Sequence, residues 1–158
     1  MNVILELAEN TDAAQVAEMS RRVIEYGLPW TWTAPRVARH IRHSESVVLV
    51  ARAEGCLIGF AIMIFGNDRA HLNLLAVEPR YQGRGVGQAL VRWLEESAAV
   101  AGTFVIHVEV RARNERARQF YSRLGYAEKG RACFYYGGIE DAIRMTRDLR
   151  VFRRENAS

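Results

Sequence analysis

Three glycines occupy alternate positions in the segment QGRGVG, residues 82–87, just ahead of a helix-like stretch. Because glycine has no Cβ, successive backbone N–H groups of such a segment can point at a ligand without obstruction. A helix N-terminus carries roughly half a positive charge, and Arg80 and Arg84 each add a full one. This combination fits a pyrophosphate group, while a simple strand-to-helix turn is the structural alternative.

The spacing of these glycines excludes the common nucleotide-binding loops. A dinucleotide fingerprint is G-x-G-x-x-G directly after a strand, whereas here the spacing is G-x-G-x-G and five residues separate Val77 from Gly83. A Walker loop needs Gly-Lys-Ser/Thr, and the segment contains no lysine. A kinase glycine loop requires catalytic-loop and metal-binding motifs that the chain lacks.

A second group of polar residues lies in the strand-like segment TFVIHVEV, residues 103–110. Strand alternation places Ile106 and Val108 on one face and His107 and Glu109 on the other. Packing would not select a carboxylate in such a strand. Glu109 is therefore either a carboxylate with a catalytic role or the partner of a nearby arginine. His107 shares its face and is a second candidate for a base.

The elements that must position these residues alternate between β-rich runs and amphipathic helices. Early strands follow one another as hairpins and later ones join helices, which predicts one α/β domain over residues 1–158 with a mixed sheet. In the first helix, which Asp12 would cap, one apolar face is formed by Val16, Met19, Val23 and Tyr26. The predicted strands are 3–8, 46–53, 57–65, 70–77, 103–110, 127–136 and 141–149, and further helices are predicted around Val37, over about 85–100 and from Asn114 to Leu124.

The composition predicts a soluble, cytoplasmic protein. Of its 158 residues, 49% are hydrophobic and 25% are charged, and no apolar run approaches the ~18–20 residues that span a bilayer. The first residues, MNVILELAEN, lack the basic region of a signal peptide. Cys56 and Cys133 have no ligand pattern around them, which favours free, mostly buried thiols in a reducing compartment.

The net charge is +4, and much of the excess lies in residues 111–123 and 144–155. A basic surface attracts nucleic acid or an anionic small molecule. No nucleic-acid-binding motif accompanies this charge, so nucleic acid is not expected as a partner in its own right, only as part of a substrate that accepts a transferred group. No metal is expected, because no zinc spacing with cysteines or carboxylates is present at any of the four histidines, His40, His43, His71 and His107.

The segment QGRGVG resembles the acetyl-CoA-binding motif of the GNAT acetyltransferases, (Gln/Arg)-x-x-Gly-x-(Gly/Ala), and the flanking LNLLAVEP and GQALVRWL resemble that motif's strand and helix. The segments HVEVRARNERARQFYSRLGY and YYGGIEDAIRM are similar to the branch that acetylates the N-terminal alanine of a ribosomal protein. LPWTWTAPRV is similar to the Pro-Trp segment of that branch. The resemblance is strong from Leu72 to Met145 and weak before Leu72.

The resemblance implies a GNAT fold, with one mixed, mostly antiparallel sheet flanked by about four helices and a donor site where two parallel central strands splay. It implies an acetyl-CoA-dependent N-acetyltransferase whose acceptor is a primary amine, above all the N-terminal α-amine of a protein or peptide, with a ribosomal protein as one candidate. Acetyl-CoA is then the co-substrate, no metal or membrane takes part, and the protein is a monomer or a dimer.

The resemblance gives Glu109 the role of the base that takes the amine proton through water, and Tyr121 that of the acid that protonates the leaving thiolate. Burial beside Phe120 and Leu124 is the structural alternative for Tyr121. The candidates for the acceptor groove, with packing as an equal alternative, are Trp30, Tyr135 and Tyr136. The residues expected to contact acetyl-CoA are Leu75, Ala76, Val77, Gln82, Gly83, Arg84, Gly85, Val86, Gly87, Gln88 and Asn114. An amide of Ala76 or Val77 is expected to face the oxyanion.

Amine chemistry favours an α-amino acceptor. An α-amine with a pKa of about 7.8 costs about 1 kcal/mol to deprotonate at pH 7, and a lysine side chain with a pKa of about 10.4 costs about 5 kcal/mol. The chain departs from the ribosomal-protein branch in two places. Its YYGGIEDA turn is shorter, and it lacks the Arg-Asn that precedes the tyrosine pair in that branch. Both departures fall where the acceptor would bind. The alternatives are a small amine or aminoacyl-tRNA as acceptor, or a non-catalytic module that binds CoA or nucleic acid.

Overall fold

The computed structural model describes residues 2–150, so residues 151–155 of the basic tail fall outside the described residues. Within residues 2–150 the chain forms seven strands and four α-helices. Their bounds in chain order are β1 Val3–Leu7, α1 Ala13–Met19, α2 Ala34–Arg42, β2 Ser46–Ala53, β3 Cys56–Phe65, β4 Arg69–Val77, α3 Val86–Val100, β5 Val105–Arg111, α4 Glu115–Arg123, β6 Ala127–Tyr136 and β7 Glu140–Asp148.

The strands form a sheet in the order β1-β2-β3-β4-β5-β7-β6. The β1–β2, β2–β3, β5–β7 and β6–β7 ladders are antiparallel. The β4 and β5 strands run parallel and pair Arg69–Leu72 with Val105–Val108. The mixed, mostly antiparallel sheet with helices is therefore confirmed, and the position of the donor site stays a prediction.

The residues group into two compact units, and the single domain over 1–158 stays a prediction. The first unit comprises Met1–Ile64 and Asn73–Leu94. Its core is formed by apolar residues of α1, α2, β2, β3 and the end of β4, with Val16, Val37 and Phe60 fully buried. The α2 helix has proline in its first turn, where a missing N–H costs nothing.

The first helix departs from its predicted face. The α1 helix buries Val16 and Met19 as predicted, but a π-helical turn over Ser20–Ile24 follows it. A π turn closes its hydrogen bonds over five residues, so the side chains after it leave the 3.6-residue stripe. Tyr26 is accordingly 55% exposed, and its predicted burial is wrong. The predicted N-cap Asp12 makes no capping bond from its side chain, which pairs with Arg52 instead.

The second unit comprises Phe65–Leu72 and Glu95–Ser158. In β5 the side chains of Ile106, Val108 and Val110 are buried, which confirms the predicted alternation. The Asn114 side chain accepts a hydrogen bond from the backbone N–H of Ala117 at 3.1 Å and so caps α4. The α4 segment is followed by Gly125 at a φ of 98°, a left-handed position that favours glycine.

The two cysteines are free and exposed, so the prediction of mostly buried thiols is wrong. Cys56 directly follows the tight Glu54–Gly55 turn, and Cys133 lies where the β6–β7 register is irregular. Side chains at a turn and at an irregular sheet edge remain in contact with solvent. No helix within residues 2–150 has both the length and the apolar character needed to cross a membrane.

Candidate active site

The glycine segment joins β4 to α3 within the first unit. A single 3₁₀ turn, Pro79–Tyr81, follows β4, and α3 begins at Val86. The Gln82 side chain donates a hydrogen bond from Nε2 to the carbonyl oxygen of Val77 at 2.9 Å, which ties the loop to the end of the strand. The strand, loop and helix predicted around QGRGVG are therefore present.

At two positions of the segment, glycine is favoured by the backbone conformation and not by close packing. Gly83 has a φ of 76° and Gly85 a φ of 85°, values at which a Cβ is strained. A Cβ built on either one would meet no atom within 4 Å, so the space beside the loop is open. The guanidinium groups of Arg80 and Arg84 lie 5.4 and 5.6 Å from the ring centre of Tyr81, which keeps their charges near the loop.

The remaining predicted donor contacts of this unit depend on backbone groups and one polar side chain. Ala76, Val77 and Val86 are buried, so these residues can offer a ligand only their backbone. On β4 the Asn73 Oδ1 atom is buried and has no hydrogen-bond partner among the described residues. A buried acceptor without a donor is rare in native proteins. It fits a ligand that brings its own N–H groups, as the pantetheine arm of CoA does.

In the second unit, strand register brings four polar side chains together. His71 pairs in register with His107 across the parallel β4–β5 ladder, and Glu109 pairs with Arg144 across the β5–β7 ladder. The Nε2 atom of His71 is hydrogen-bonded to Oε2 of Glu109, and the Arg144 Nε donates to Oε1 at 3.0 Å. The histidine rings stack with centres 4.5 Å apart. We call these four residues the Glu109 cluster.

The Glu109 cluster holds a carboxylate that is buried but charged. Burial by itself raises the pKa of the Glu109 carboxyl, but the hydrogen bonds from His71 and Arg144 and the nearby histidines outweigh it, so this pKa lies below its usual range. Burial, followed by the charge of His71, lowers the pKa of His107. The cluster is therefore built around an ionised Glu109 and a neutral His107.

The Glu109 cluster also collects groups that bind metals in other proteins. One ligand atom each from His71, His107 and Glu109 lies within 4.8 Å of the other two. An imidazole binds a metal along the lone pair in its ring plane. Because the two stacked rings lie only 10° from parallel, no single position lies in both planes, and Oε1 of the carboxylate already accepts a hydrogen bond from Arg144. The geometry fits proton transfer better than metal binding, and the expectation of no metal stays a prediction.

Three tyrosines were predicted to act in catalysis or acceptor binding. Tyr121 is 5% exposed, and burial, with Tyr136 nearby, raises the pKa of its hydroxyl far above the usual range. The Tyr136 hydroxyl donates to the backbone carbonyl of Glu109 at 2.9 Å, and the Tyr135 ring, 45% exposed, lies edge-on to it at 5.0 Å. Tyr136 is therefore hydrogen-bonded to the backbone of the Glu109 cluster, while Tyr121 carries a buried hydroxyl that stays protonated.

The segment LPWTWTAP of the first unit is held by a buried carboxylate. Glu25 is 7% exposed and accepts hydrogen bonds from Ser20 Oγ at 2.9 Å and from both the N–H and the hydroxyl of Thr31 at 2.8 and 2.7 Å. Trp32 is buried, whereas Trp30 remains 41% exposed. The predicted acceptor-groove residue Trp30 is thus displayed on a segment that Glu25 fixes.

Sequence reasoning missed His71, Arg144 and Glu25 as members of these sites. The contact between His71 and Glu109 joins residues 38 positions apart, so no local spacing in the sequence could indicate it. The available signal was alternation in the predicted strand 70–77, which puts His71 and Asn73 on one face. For Glu25 no periodic signal existed, because its partners are Ser20 at the start of the π-helical turn and Thr31 in the irregular segment after it.

The chain is similar to known proteins in sequence and in fold. The sequence model described as the acetyltransferase (GNAT) family matches residues 13–126. An uncharacterised N-acetyltransferase of Mycobacterium tuberculosis is 31% identical over 119 residues, which cover 74% of this chain and 76% of that protein.

Two solved structures are similar over almost the whole chain. The ribosomal-protein-S18-alanine N-acetyltransferase of Escherichia coli is 28% identical, with a TM-score of 0.81 over 94% of each chain. A spermidine/spermine N-acetyltransferase of Vibrio cholerae, solved as mutant forms, is 20% identical, with a TM-score of 0.76 over 98% of this chain and 99% of that one. The second likeness concerns the fold alone.

Proposed function

The chain belongs to the acetyltransferase (GNAT) family and is an acetyl-CoA-dependent N-acetyltransferase, and we propose that its acceptor is the N-terminal α-amine of a protein or peptide. Acetyl-CoA supplies an acetyl group activated as a thioester. The protein must supply a binding loop, a route for the amine proton and a proton donor for the leaving thiolate. The ionised, buried Glu109 with its partners is the observation that carries the proposal.

The state of Glu109 supports an α-amine over a lysine side chain. The pKa of Glu109 lies below its usual range, so this carboxylate is a weak proton acceptor. Deprotonation at pH 7 costs about 1 kcal/mol for an α-amine but about 5 kcal/mol for a lysine. The less basic amine therefore requires less of the proton acceptor, whichever group of the Glu109 cluster takes the proton, and the likeness to an enzyme that acetylates the alanine of ribosomal protein S18 points the same way.

The glycine segment is the part of the chain that we assign to the donor. Gly83 and Gly85 leave open space beside backbone amides, and Arg80, Arg84 and the α3 N-terminus supply positive charge for a pyrophosphate. Asn73 Oδ1, buried without a partner among residues 2–150, suits an amide of the pantetheine arm. Amides of Ala76 or Val77 remain our candidates for stabilising the oxyanion.

Tyr121 is our candidate for the group that meets the leaving sulfur. Its hydroxyl stays protonated at any physiological pH because burial raises its pKa. A donor of such high pKa gives up its proton only partly, so we assign it a hydrogen bond to the developing thiolate more than a complete proton transfer. Trp30, Tyr135 and Tyr136 are proposed to contact the acceptor.

A panel of acceptors tests the proposed function. Thiol release from acetyl-CoA is measured with peptides of free N-terminus, beginning with alanine among other residues, and with free lysine, polyamines and aminoacyl-tRNA. We expect kcat/KM to be highest for a peptide α-amine. An N-formylated copy of the best peptide that contains lysine is the matched control and should be inert. Faster turnover of a polyamine or of aminoacyl-tRNA would overturn the acceptor, and no release with any amine would contradict catalysis.

A pair of glycine variants tests the donor loop. Gly85→Asp places a negative side chain where the pyrophosphate is expected, and we predict a rise of at least about 100-fold in the Kd for CoA, measured by calorimetry. Gly55→Asp is the matched control, because Gly55 has a similar φ of 79° and also open space around its Cβ. Both variants carry the same backbone strain, so equal affinities would contradict the assignment of the loop.

A further inference from the structure

His71 is an imidazole of the Glu109 cluster that reaches solvent beside the buried carboxylate. Its side chain is 25% exposed, and that of Glu109 is 4% exposed. Both oxygens of Glu109 already have partners, His71 on Oε2 and Arg144 on Oε1. An acceptor amine, or a water bound to it, therefore meets the imidazole before it meets the carboxylate.

The hydrogen bond to Glu109 fixes the tautomer of His71. An ionised carboxylate only accepts hydrogen bonds, so Nε2 of the neutral imidazole carries the proton and Nδ1 keeps the lone pair. Across residues 2–150 the structure gives Nδ1 of His71 no hydrogen-bond partner. An available lone pair on an imidazole that a buried carboxylate orients is the arrangement of a general base.

The groups around His71 include one negative charge and one imidazole of lowered pKa. Burial is the largest cause that lowers the pKa of His107, so the ring stacked on His71 adds no like charge. The negative charge of Glu109 faces Nε2 of His71 directly. The titratable and charged groups that face the cluster are Arg69 on β4, His107 and Glu109 on β5, Arg144 on β7, and Tyr135 and Tyr136 on β6.

We propose that His71 takes the proton from the ammonium form of the acceptor, and that Glu109 positions His71 and stabilises the imidazolium. An N–H bond of the ammonium breaks, an Nδ1–H bond forms, and the amine nitrogen regains the lone pair with which it attacks the thioester carbonyl. As the C–N bond forms and the C–S bond breaks, the nitrogen loses a second proton to the leaving thiolate, and the first proton passes from His71 to solvent after the acetyl group has moved. This inference rests on the proposed function and makes His71 a catalytic residue and Glu109 a positioning residue.

His71→Ala tests the inference with whichever amine the wild type acetylates fastest. We expect kcat to fall about 100-fold, while the KM for acetyl-CoA changes less than about twofold. Added imidazole should restore the rate at least about tenfold, because the vacated site is open to solvent. The double variant His71→Ala/Glu109→Gln should be no slower than the slower single variant, because the two residues act as a unit.

His43→Ala is the matched control, since His43 is an exposed histidine of the first unit and should show neither the loss nor the response to imidazole. A His71→Ala enzyme that keeps more than about a third of the wild-type kcat overturns the inference. A loss that imidazole does not repair and that adds to the loss in Glu109→Gln also overturns it, because a structural side chain behaves in that way.

Two further outcomes separate this inference from the proposed function. If circular dichroism shows that His71→Ala is unfolded, His71→Asn replaces it. The same two results, a loss of kcat and its non-additivity with Glu109→Gln, then support the inference, and their absence overturns it. If the wild type acetylates polyamines and not peptides, the proposed acceptor fails while the His71 comparison is made on polyamines. If the wild type acetylates no amine, both proposals fail together.

Discussion

Two glutamates of the second unit with buried side chains, Glu95 and Glu109, each pair with an arginine, and the two pairs differ in their contact with solvent. Arg147 and Glu95 are only 4% and 6% exposed and lie 2.8 Å apart, with the Tyr126 hydroxyl donating to Glu95 at 3.0 Å. Glu109 is as deeply buried, at 4%, but its partner Arg144 is 52% exposed. Both members of the Glu95 pair are shielded from solvent, and we call it the closed pair. In the Glu109 pair the arginine reaches solvent, and we call it the open pair.

The difference shows that burial of a carboxylate does not by itself mark an active site. A buried ion pair must be satisfied on every side, or the desolvation of its charges is not recovered. Glu95 meets this requirement with partners that are buried themselves. Glu109 meets it with an arginine and a histidine that reach water, and of these two the histidine can exchange a proton with solvent. The exposure of the partners therefore separates a structural carboxylate from a reactive one.

The largest expected effect breaks the open pair. Glu109→Gln keeps the shape of the side chain, but its amide can donate to His71 and turn the lone pair to the wrong nitrogen. We expect kcat to fall about 10²–10⁴-fold, while the free energy of unfolding changes by about 1 kcal/mol or less. Thiol release measures the first and urea unfolding the second. A near-native rate would make Glu109 a structural carboxylate like Glu95.

The second effect breaks the closed pair. Glu95→Gln removes the charge that neutralises the buried Arg147, and we expect the free energy of unfolding to fall by about 3 to 5 kcal/mol. The kcat of the folded fraction should stay within about twofold of the wild type. Urea unfolding and thiol release on the same samples measure both quantities. A large loss of rate without a loss of stability would contradict the comparison.

Two further variants test whether the lost charge, and not the particular substitution, destabilises Glu95→Gln. Tyr126→Phe removes a single hydrogen bond and should cost about 1 kcal/mol. The double variant Glu95→Leu/Arg147→Met replaces both charges with apolar side chains and should recover most of the stability lost in Glu95→Gln, because no charge then remains to be solvated. A double variant as unstable as Glu95→Gln would show that packing, and not charge, dominates this pair.

The parts of the molecule that depend on local sequence were predictable. The glycine segment is one continuous stretch, and its strand, turn and helix are present around Gly83 and Gly85. The alternation of β5 separated Glu109 from the buried Ile106 and Val108. Such patterns repeat every two or 3.6 residues, so a single sequence contains them in full.

The partners of Glu109 were not predictable, because strand register determines them. His71 reaches Glu109 through the parallel β4–β5 ladder, and Arg144 reaches it through the antiparallel β5–β7 ladder. A shift of one residue in either ladder would turn those side chains to the other face. The burial predicted for Tyr26 failed for a different reason, since a π-helical turn over Ser20–Ile24 interrupts the 3.6-residue period on which that prediction depends.

The smallest expected effect tests the open side of the Glu109 pair. The Nε of Arg144 donates to Oε1, and this bond helps to hold the pKa of Glu109 below its usual range. In Arg144→Gln that pKa moves back up toward 4.5, its ordinary value. A carboxyl whose pKa is lowered in the folded state adds stability above the unfolded pKa and loses it as the pH falls. The wild type should therefore be more stable than Arg144→Gln at neutral pH, and the difference should shrink below a pH of about 4.5.

Because Arg144 is 52% exposed, solvent screens its charge and the difference in stability should be small at every pH. Urea unfolding at a pH of about 7 and of about 3.5 measures it. Arg131→Gln is the matched control, since Arg131 is 58% exposed and pairs with Asp141, a carboxylate 24% exposed and so less deeply buried than Glu109. If both variants show the same pH dependence, Arg144 acts on Glu109 no more than a surface arginine acts on its partner, and the open side of the pair must then be assigned to His71 alone.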